Sequence, residues 1–356
     1  MEQDIKQIIQ DAIYAPSGEN CQPWSFRISG ATINLFNLPE RDQSPYNRGQ
    51  YGSYVAHGAV LENIKISAEQ LGYRVDIKLF PEPSNKNHIA LISLEKLSTS
   101  IEKPILYGAI AKRVTNRKPY EDTLLSPLEL DELVKSISDN SVKILITQKN
   151  SDKKTLAEIG SLNESIMMSN EFLHDFFFSH VTWTKEMDEQ KKIGFFVDTL
   201  ELPLPAKKLF KIAKNWKIVK FLNKFGFSKE VGKQNAKTYT SSSGFGILSI
   251  KDTSPESFIN AGMALERIWL TATNLGLNFQ PVSGLLFLVY AVKLDGTAQF
   301  SKNQTDLIDK GYETIKKTFQ VDSSENVVFM FRIGHGNIKP TARSSRFNVE
   351  DFIQVA

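Results

Sequence analysis

Apolar positions at Ile5, Ile8, Ile9, Ala12 and Ile13 share one face of a helix over 3–14. Ala15-Pro16-Ser17-Gly18 ends it, because Pro16 forbids continuation and Gly18 permits unusual backbone angles. The pattern then predicts strands over 24–28 and 32–36 around a Ser29-Gly30 turn. A long helix over 54–71 stops at Gly72, and strands at 74–80 and 88–94 follow. A short helix is expected over 105–114, and Ser126-Pro127 opens another as cap and first residue. Strands are expected at 141–147 and 244–250. A second long helix over 255–275 stops at Gly276, and a helix at 304–318 and a strand at 326–333 precede an arginine-bearing tail.

The two long helices carry a repeat. Residues 58–72 align without gaps on 262–276, and Gly, Leu, Glu, Ile, Ala, Leu and Gly recur in register. Two unrelated amphipathic helices would share the apolar stripe but hardly both glycines and the glutamate. Two copies so far apart exclude a solenoid and suit a fused pseudo-dimer with both helices at its centre.

Composition narrows the class. The 356 residues carry a net charge of +3 and a single cysteine, Cys21, so no internal disulfide forms. That usage fits a reducing, cytoplasmic setting. The amphipathic start is not expected to be a signal peptide, and no apolar run is long enough to span a membrane. Near-neutral charge argues against a dedicated nucleic-acid binder. The histidines His57, His88, His174, His180 and His335 lack the spacing and partners of a zinc set, so no metal is expected. Gly244-Phe245-Gly246 runs into a strand and does not open a helix, which makes it a weak dinucleotide signal.

Two stretches carry candidate chemistry. In 15–26, Pro16, Ser17 and Gly18 make a loop with free backbone N–H groups, and Asn20 and Gln22 add amides that suit the edge of a flat heterocycle. Trp24 anchors the next strand; an ordinary helix–strand turn uses the same residue types. In 112–118, Lys112, Arg113, Arg117 and Lys118 surround Thr115, a donor set that suits a phosphate, although a solvated basic turn looks alike.

Together, A-P-S-G-x-N-x-Q-P-W-x-F and the later A-I-A-x-R-x-T-x-R-x-P-Y resemble the nitroreductase-like FMN flavoproteins. The arrangement, with Trp183, the 194–200 segment and the ending R-I-G-H-G…R-S-S-R, resembles the tandem Acg-like branch, in which one chain mimics a dimer. The resemblance implies an α+β fold: two pseudo-repeated halves, 1–100 and 101–356, with mixed sheets around the two long central helices. It places Pro16, Ser17, Gly18, Asn20 and Gln22 around the flavin ring and ribityl chain. Arg113, Thr115 and Arg117 would reach phosphate and ribityl from the other half. The C-terminal phosphate contact falls among Lys339, Arg343 and Arg346, with Arg343 favoured. Ser283 or Gly284 would offer a backbone N–H to the flavin, since Pro281 has none. With one copy of each motif, one FMN per chain is expected. The implied activity is an NAD(P)H-dependent oxidoreductase acting on nitroaromatic or quinone-type acceptors, with no catalytic side chain; the alternative is an FMN-sequestering protein without turnover. A monomeric pseudo-dimer or a homo-oligomer suits either.

Between the halves, residues 206–234 hold nine lysines and one glutamate among apolar residues at helical spacing. The net positive charge of this segment alone exceeds the whole chain's net +3, so the remainder is net acidic. A lid or packing role over the flavin, set at about 200–236, is favoured over membrane-surface contact and partner binding. Cys21 is expected to be a small filler in the loop. Glu62 and Glu266 are expected to cap or pair within the central helices.

Overall fold

The computed structural model describes residues 1–98, 102–137 and 139–354. The expected boundary between the halves, at 100–101, lies outside them. The two long helices form as Tyr51–Gln70 and Pro255–Asn274, each followed by a glycine at positive φ, Gly72 at +79° and Gly276 at +74°. The second starts under a Ser254 cap whose side chain accepts from the Ser257 N–H, with Pro255 in the first turn.

These helices cross at repeat-related residues. A Cβ on Gly58 would lie 2.0 Å from the Ile259 carbonyl oxygen and 2.8 Å from the Gly262 Cα. Reciprocally, a Cβ on Gly262 would lie 2.1 Å from the Val55 carbonyl oxygen. Only residues without a side chain let two backbones approach so closely. The aligned glycines are therefore the contact about which the repeat pairs with itself. Val60 and Ile64 of one helix and Ile259 and Ile268 of the other are fully buried in one shared core.

Two sheets flank this pair. Strands β1 (Trp24–Ser29), β2 (Thr32–Asn37), β3 (Tyr73–Leu79) and β4 (His88–Lys96) pair antiparallel in the order β1-β2-β4-β3. The second sheet uses β5 (Val142–Thr147), β8 (Gly244–Ile250), β9 (Asn278–Pro281) and β10 (Asn326–Gly334) in the order β5-β8-β10-β9. Between them in sequence, β6 (Val181–Thr182) and β7 (Phe195–Phe196) form a small parallel pair. The last strand, β11 (Ile353–Gln354), crosses back and pairs parallel with β1, matching Phe26 to Ile353. The tail of the chain thus lies on the N-terminal sheet.

Several elements differ from the pattern-based reading. The helix expected over 105–114 shrinks to Tyr107–Ile110, because the chain then opens so that the Asn116 N–H donates to the Phe279 carbonyl. Helices at Asn150–Gly160, Leu162–Met167, Glu171–Ser179 and Lys185–Lys191 fill a region where the pattern assigned nothing, as does Gly284–Asp295 after β9. The lysine-rich segment is three helices, Leu204–Ile212, Trp216–Leu222 and Phe227–Thr240, the last running past residue 236. Phe210, Ala213, Trp216 and Val219 seat it on the second core. His174 fixes the seat, its Nε2 lying 2.8 Å from the Ala213 carbonyl oxygen.

Candidate functional site

The first helix, Glu2–Ala12, ends in a short 3-10 turn at Gly18–Asn20. Glu19, Asn20 and Gln22 all adopt positive φ, between 50° and 55°, so this turn is strained at three non-glycine residues. Ser17 braces it, its Oγ accepting from the Gln22 N–H at 3.0 Å. The amides are held by the chain itself: Asn20 donates to the Lys192 and Ser345 carbonyls, and Gln22 donates to Lys192 and accepts from the Phe347 N–H. Asp188, almost fully buried, holds the tail in place by accepting from the N–H and hydroxyl of Ser345. Pro16 is half-buried and Gly18 exposed. Trp24 is fully buried, the anchor its motif implied. Cys21 is buried with Sγ 3.4 Å from Asp42 Oδ2, and burial pushes its thiol up, consistent with a packing residue.

At the start of this loop three arginines converge. Arg113 donates to the Tyr14 carbonyl at 2.6 Å, and Arg346 donates through one nitrogen to the Ile13 and Ala15 carbonyls at 2.7 and 2.8 Å. Arg343 forks onto the carbonyls of Ala111 and Lys112. A single carboxylate accompanies them: Glu266 Oε1 lies 3.2 Å from Arg113 Nε. Arg113 also stacks over Trp269 at 4.5 Å. Among the described residues neither Arg343 nor Arg346 has an ion pair. Burial first, and then the charge of Arg113, lowers the Arg346 pKa to about 9. Among the described residues Arg113 Nη1 and Arg346 Nε and Nη2 make no hydrogen bond, and Arg113 Nε is buried without one. The cluster is short of negative charge and keeps forked donors free, which is the donor chemistry of a bound phosphate or carboxylate. Lys339 is exposed and Thr115 half-buried.

Glu266 corrects an expectation. It lies inside a central helix but pairs outward with Arg113, while repeat-related Glu62 pairs across the helices with Arg267. Glu266 is fully buried, neither oxygen accepts a hydrogen bond, and burial lifts its pKa to about 7 despite Arg113. Its folded pKa exceeds the unfolded value near 4.5, so its stabilising contribution is complete below pH 4.5 and lost as pH rises through 7. The stability of the wild type relative to Glu266→Gln is therefore expected to fall by on the order of 2–3 kcal/mol between pH 4.5 and 8. Urea denaturation of both proteins across that range measures it, and a flat difference refutes it.

Arg117 and Lys118 lead from this cluster to a cavity. Arg117 donates to the Thr199 carbonyl at 3.0 Å, and Lys118 lies 3.5 Å from Glu201. Lys118, Glu201, Leu204, Lys207 and Thr341 help line a cavity of about 330 Å³, within the range of small-molecule sites. Behind it, fully buried Arg332 donates to Gln280 and to the carbonyls of Thr238, Ser241 and Lys118, and stacks on Tyr120 at 4.0 Å. It locks the arginine motif to β9, β10 and the end of the lysine-rich segment.

The expected ring-contacting pair sits elsewhere in the junction. Ser283 Oγ donates to the Met330 carbonyl and accepts the Met330 N–H, and Gly284 makes room for Asn163, whose Cγ would lie 2.4 Å from a Cβ there. Asn163 donates to Glu164, which also accepts from the Tyr239 hydroxyl. Burial, followed by the charges of Glu19 and Glu164, pushes up the pKa of the Tyr46 hydroxyl. Tyr46 Oη, Asn163 Oδ1 and Glu164 Oε2 are buried without hydrogen-bond partners. Glu19 is itself raised to about 8, by burial first and Asp42 second. A polar seam thus runs from the strained loop through Glu19, Tyr46 and Glu164 to Gly284. Sequence reasoning gave no role to Glu19, Tyr46, Asn163, Glu164 or Arg332; of these only Arg332 stands at a motif position, the first of R-I-G-H-G, and only the fold brings them together. Among the described residues, no group of three or more His, Cys, Asp or Glu could hold a metal ion.

No protein-family model matches the chain. A Mycobacterium tuberculosis protein bearing the name NAD(P)H nitroreductase is 26% identical over 116 residues, covering 33% of this chain and 34% of that protein. The NAD(P)H nitroreductase named acg from the same organism is 26% identical over 171 residues, 48% of this chain and 51% of acg. PigM of Serratia sp., also named an NAD(P)H nitroreductase, is 20% identical across 80% of this chain and 81% of its own. The chain is similar to these proteins named NAD(P)H nitroreductase. Its matched stretch spans about a third of the first of these relatives and about half of the second. A solved nitroreductase with bound FMN from Desulfitobacterium hafniense is 11% identical, covering 72% of this chain and 100% of that one, at a TM-score of 0.37. No described helix of this chain is long and apolar enough to cross a membrane.

Proposed function

We propose that this chain is an FMN-dependent NAD(P)H oxidoreductase whose acceptors are nitroaromatic or quinone-type compounds. The observation that carries the reading is the arginine cluster, in which only Arg113 has a carboxylate partner, Glu266, and Arg113 and Arg346 keep donors free. That donor set fits the phosphate of FMN, and the orphaned Tyr46, Asn163 and Glu164 atoms supply polar partners for a heterocycle at the same junction. Bound FMN would supply two-electron hydride chemistry between NAD(P)H and the acceptor. The chain's own tasks are to hold the phosphate with Arg113 and Arg346, to orient Arg113 by Glu266 and Trp269, and to keep water out with the buried seam. No side chain is assigned as acid, base or nucleophile.

One FMN per chain follows from the broken repeat. At the position related to Glu266, Glu62 has only Arg267, a residue one third exposed, and no second arginine motif accompanies it. Titration of apo-protein is expected to saturate near one equivalent of FMN; saturation at two equivalents refutes the asymmetry. The closure of Asn20 and Gln22 by Lys192, Ser345 and Phe347 supports a second reading, an FMN-sequestering protein that shields its flavin. Visible spectra before and after anaerobic NAD(P)H separate the two. Flavin bands that bleach support the reductase, and bands that persist support sequestration. A protein that retains no FMN after reconstitution refutes both.

A further inference from the structure

We propose that the exposed face of the lysine-rich segment docks on an anionic lipid bilayer surface. The inference rests on the surface alone and does not depend on the flavin reading. Six large apolar side chains of this one segment face solvent: Leu204 and Phe225 at 77% exposure, Phe221 at 57%, Ile212 at 53%, Leu209 at 45% and Ile218 at 38%. The helix Leu204–Ile212 presents Leu204, Lys208 and Ile212 four residues apart, hence along one face. Beyond it, Ile218, Phe221 and Phe225 continue an apolar stripe at spacings of three and four, and the rings of Phe221 and Phe225 touch edge to face at 5.5 Å. The opposite side is satisfied, since Ala213 and Val219 are buried in the second core.

Charge selects the partner. Of the nine lysines in 206–234, Lys207 alone has a carboxylate partner among the described residues, Asp198. Lys208, Lys211, Lys214, Lys217, Lys220, Lys224, Lys229 and Lys233 are exposed. A lid that only packs would turn its aliphatic and aromatic residues inward, and a polyanion site would not need them outward. Cations interleaved with exposed Leu, Ile and Phe match an interfacial helix, whose apolar side enters the headgroup boundary while lysine stems reach lipid phosphates. The same segment lines the 330 Å³ cavity through Leu204 and Lys207, so docking would bring that cavity beside the bilayer.

Co-sedimentation of the full chain with phosphatidylcholine vesicles, with and without phosphatidylglycerol, tests this directly. Binding is expected only with phosphatidylglycerol and should weaken as salt rises. Each of Lys211→Gln, Lys217→Gln and Lys220→Gln should weaken it roughly fivefold. Phe221→Ser and Phe225→Ser should each weaken it about tenfold, since each removes an aromatic ring from the interface. On the unmodified protein, slowed hydrogen exchange confined to 204–225 upon vesicle addition gives a readout free of any folding defect in the variants. Absence of binding at low salt overturns the proposal. So does binding that duplex DNA displaces and that the two Phe→Ser changes leave intact, because it would assign the patch to polyanions.

Discussion

Gly262→Leu is expected to destabilise the protein by about 3–5 kcal/mol, the largest effect of any single substitution considered for the scaffold. The leucine Cβ alone would lie 2.1 Å from the Val55 carbonyl oxygen and 2.8 Å from the Val55 carbonyl carbon. Those atoms belong to the backbone of the facing helix, so relief requires the whole helix to move, and buried Val60, Ile64, Ile259 and Ile268 lose contact together. Gly262→Ala should already cost stability, although alanine favours a helix by about 1 kcal/mol over glycine. Gly108→Ala is the control, because it sits in a helix with nothing within 4 Å of the new Cβ and should be neutral or slightly stabilising. Gly58→Ala and Gly262→Ala disrupt the same contact, so their combined cost should fall short of the sum. Urea denaturation of the four single variants and the double variant measures all of this, and a neutral Gly262→Ala would disprove the close crossing.

Arg346→Ala and Arg113→Ala are each expected to weaken FMN binding by about 1.5–3 kcal/mol, roughly 10- to 150-fold. Together they should abolish retention through purification. Arg343→Ala should cost less, since Arg343 is exposed and its fork already serves the Ala111 and Lys112 carbonyls. The expectation drawn from resemblance favoured Arg343; burial and free donors favour Arg346. Fluorescence titration of apo-protein with FMN ranks the three, and a largest loss for Arg343→Ala would reverse the assignment. Arg113→Ala carries a second signature. It strands Glu266 in the core and removes the charge that lowers its pKa, so the stability lost by Arg113→Ala relative to the wild type should be larger at pH 8 than at pH 6. Adding Glu266→Gln should remove that pH dependence without restoring FMN affinity.

The scaffold was legible where local chemistry and periodicity agree. Seven recurring residues in fifteen revealed the paired central helices, and Ser126, Gly72 and Gly276 marked helix ends that form as read. Strands β1 to β4 were legible from alternation because one face of each meets the core. The region 150–191 was not, because its short helices are held by aromatic contacts with residues outside it, such as Phe177 and Phe178 against Phe210. β11 is two residues long, and only its partner β1 makes it a strand.

By itself the sequence determined the motifs and the donors available: the loop at 15–24, the arginines of 112–118, the tail arginines, and the basic excess of 206–234. Residue type and spacing are local properties, and they survive without a fold. Tertiary structure alone decided which groups meet: that Arg346 joins Arg113 beside Glu266, that the tail closes on Asn20 and Gln22, and that Tyr46 lies in the field of both Glu19 and Glu164. It also decided which side of the lysine-rich helices faces out, because that depends on which stripe the second core accepts. Burial, charge balance and unpaired polar atoms belong to an environment assembled from residues up to 333 positions apart, such as Ile13 and Arg346. No stretch of sequence read in isolation contains it.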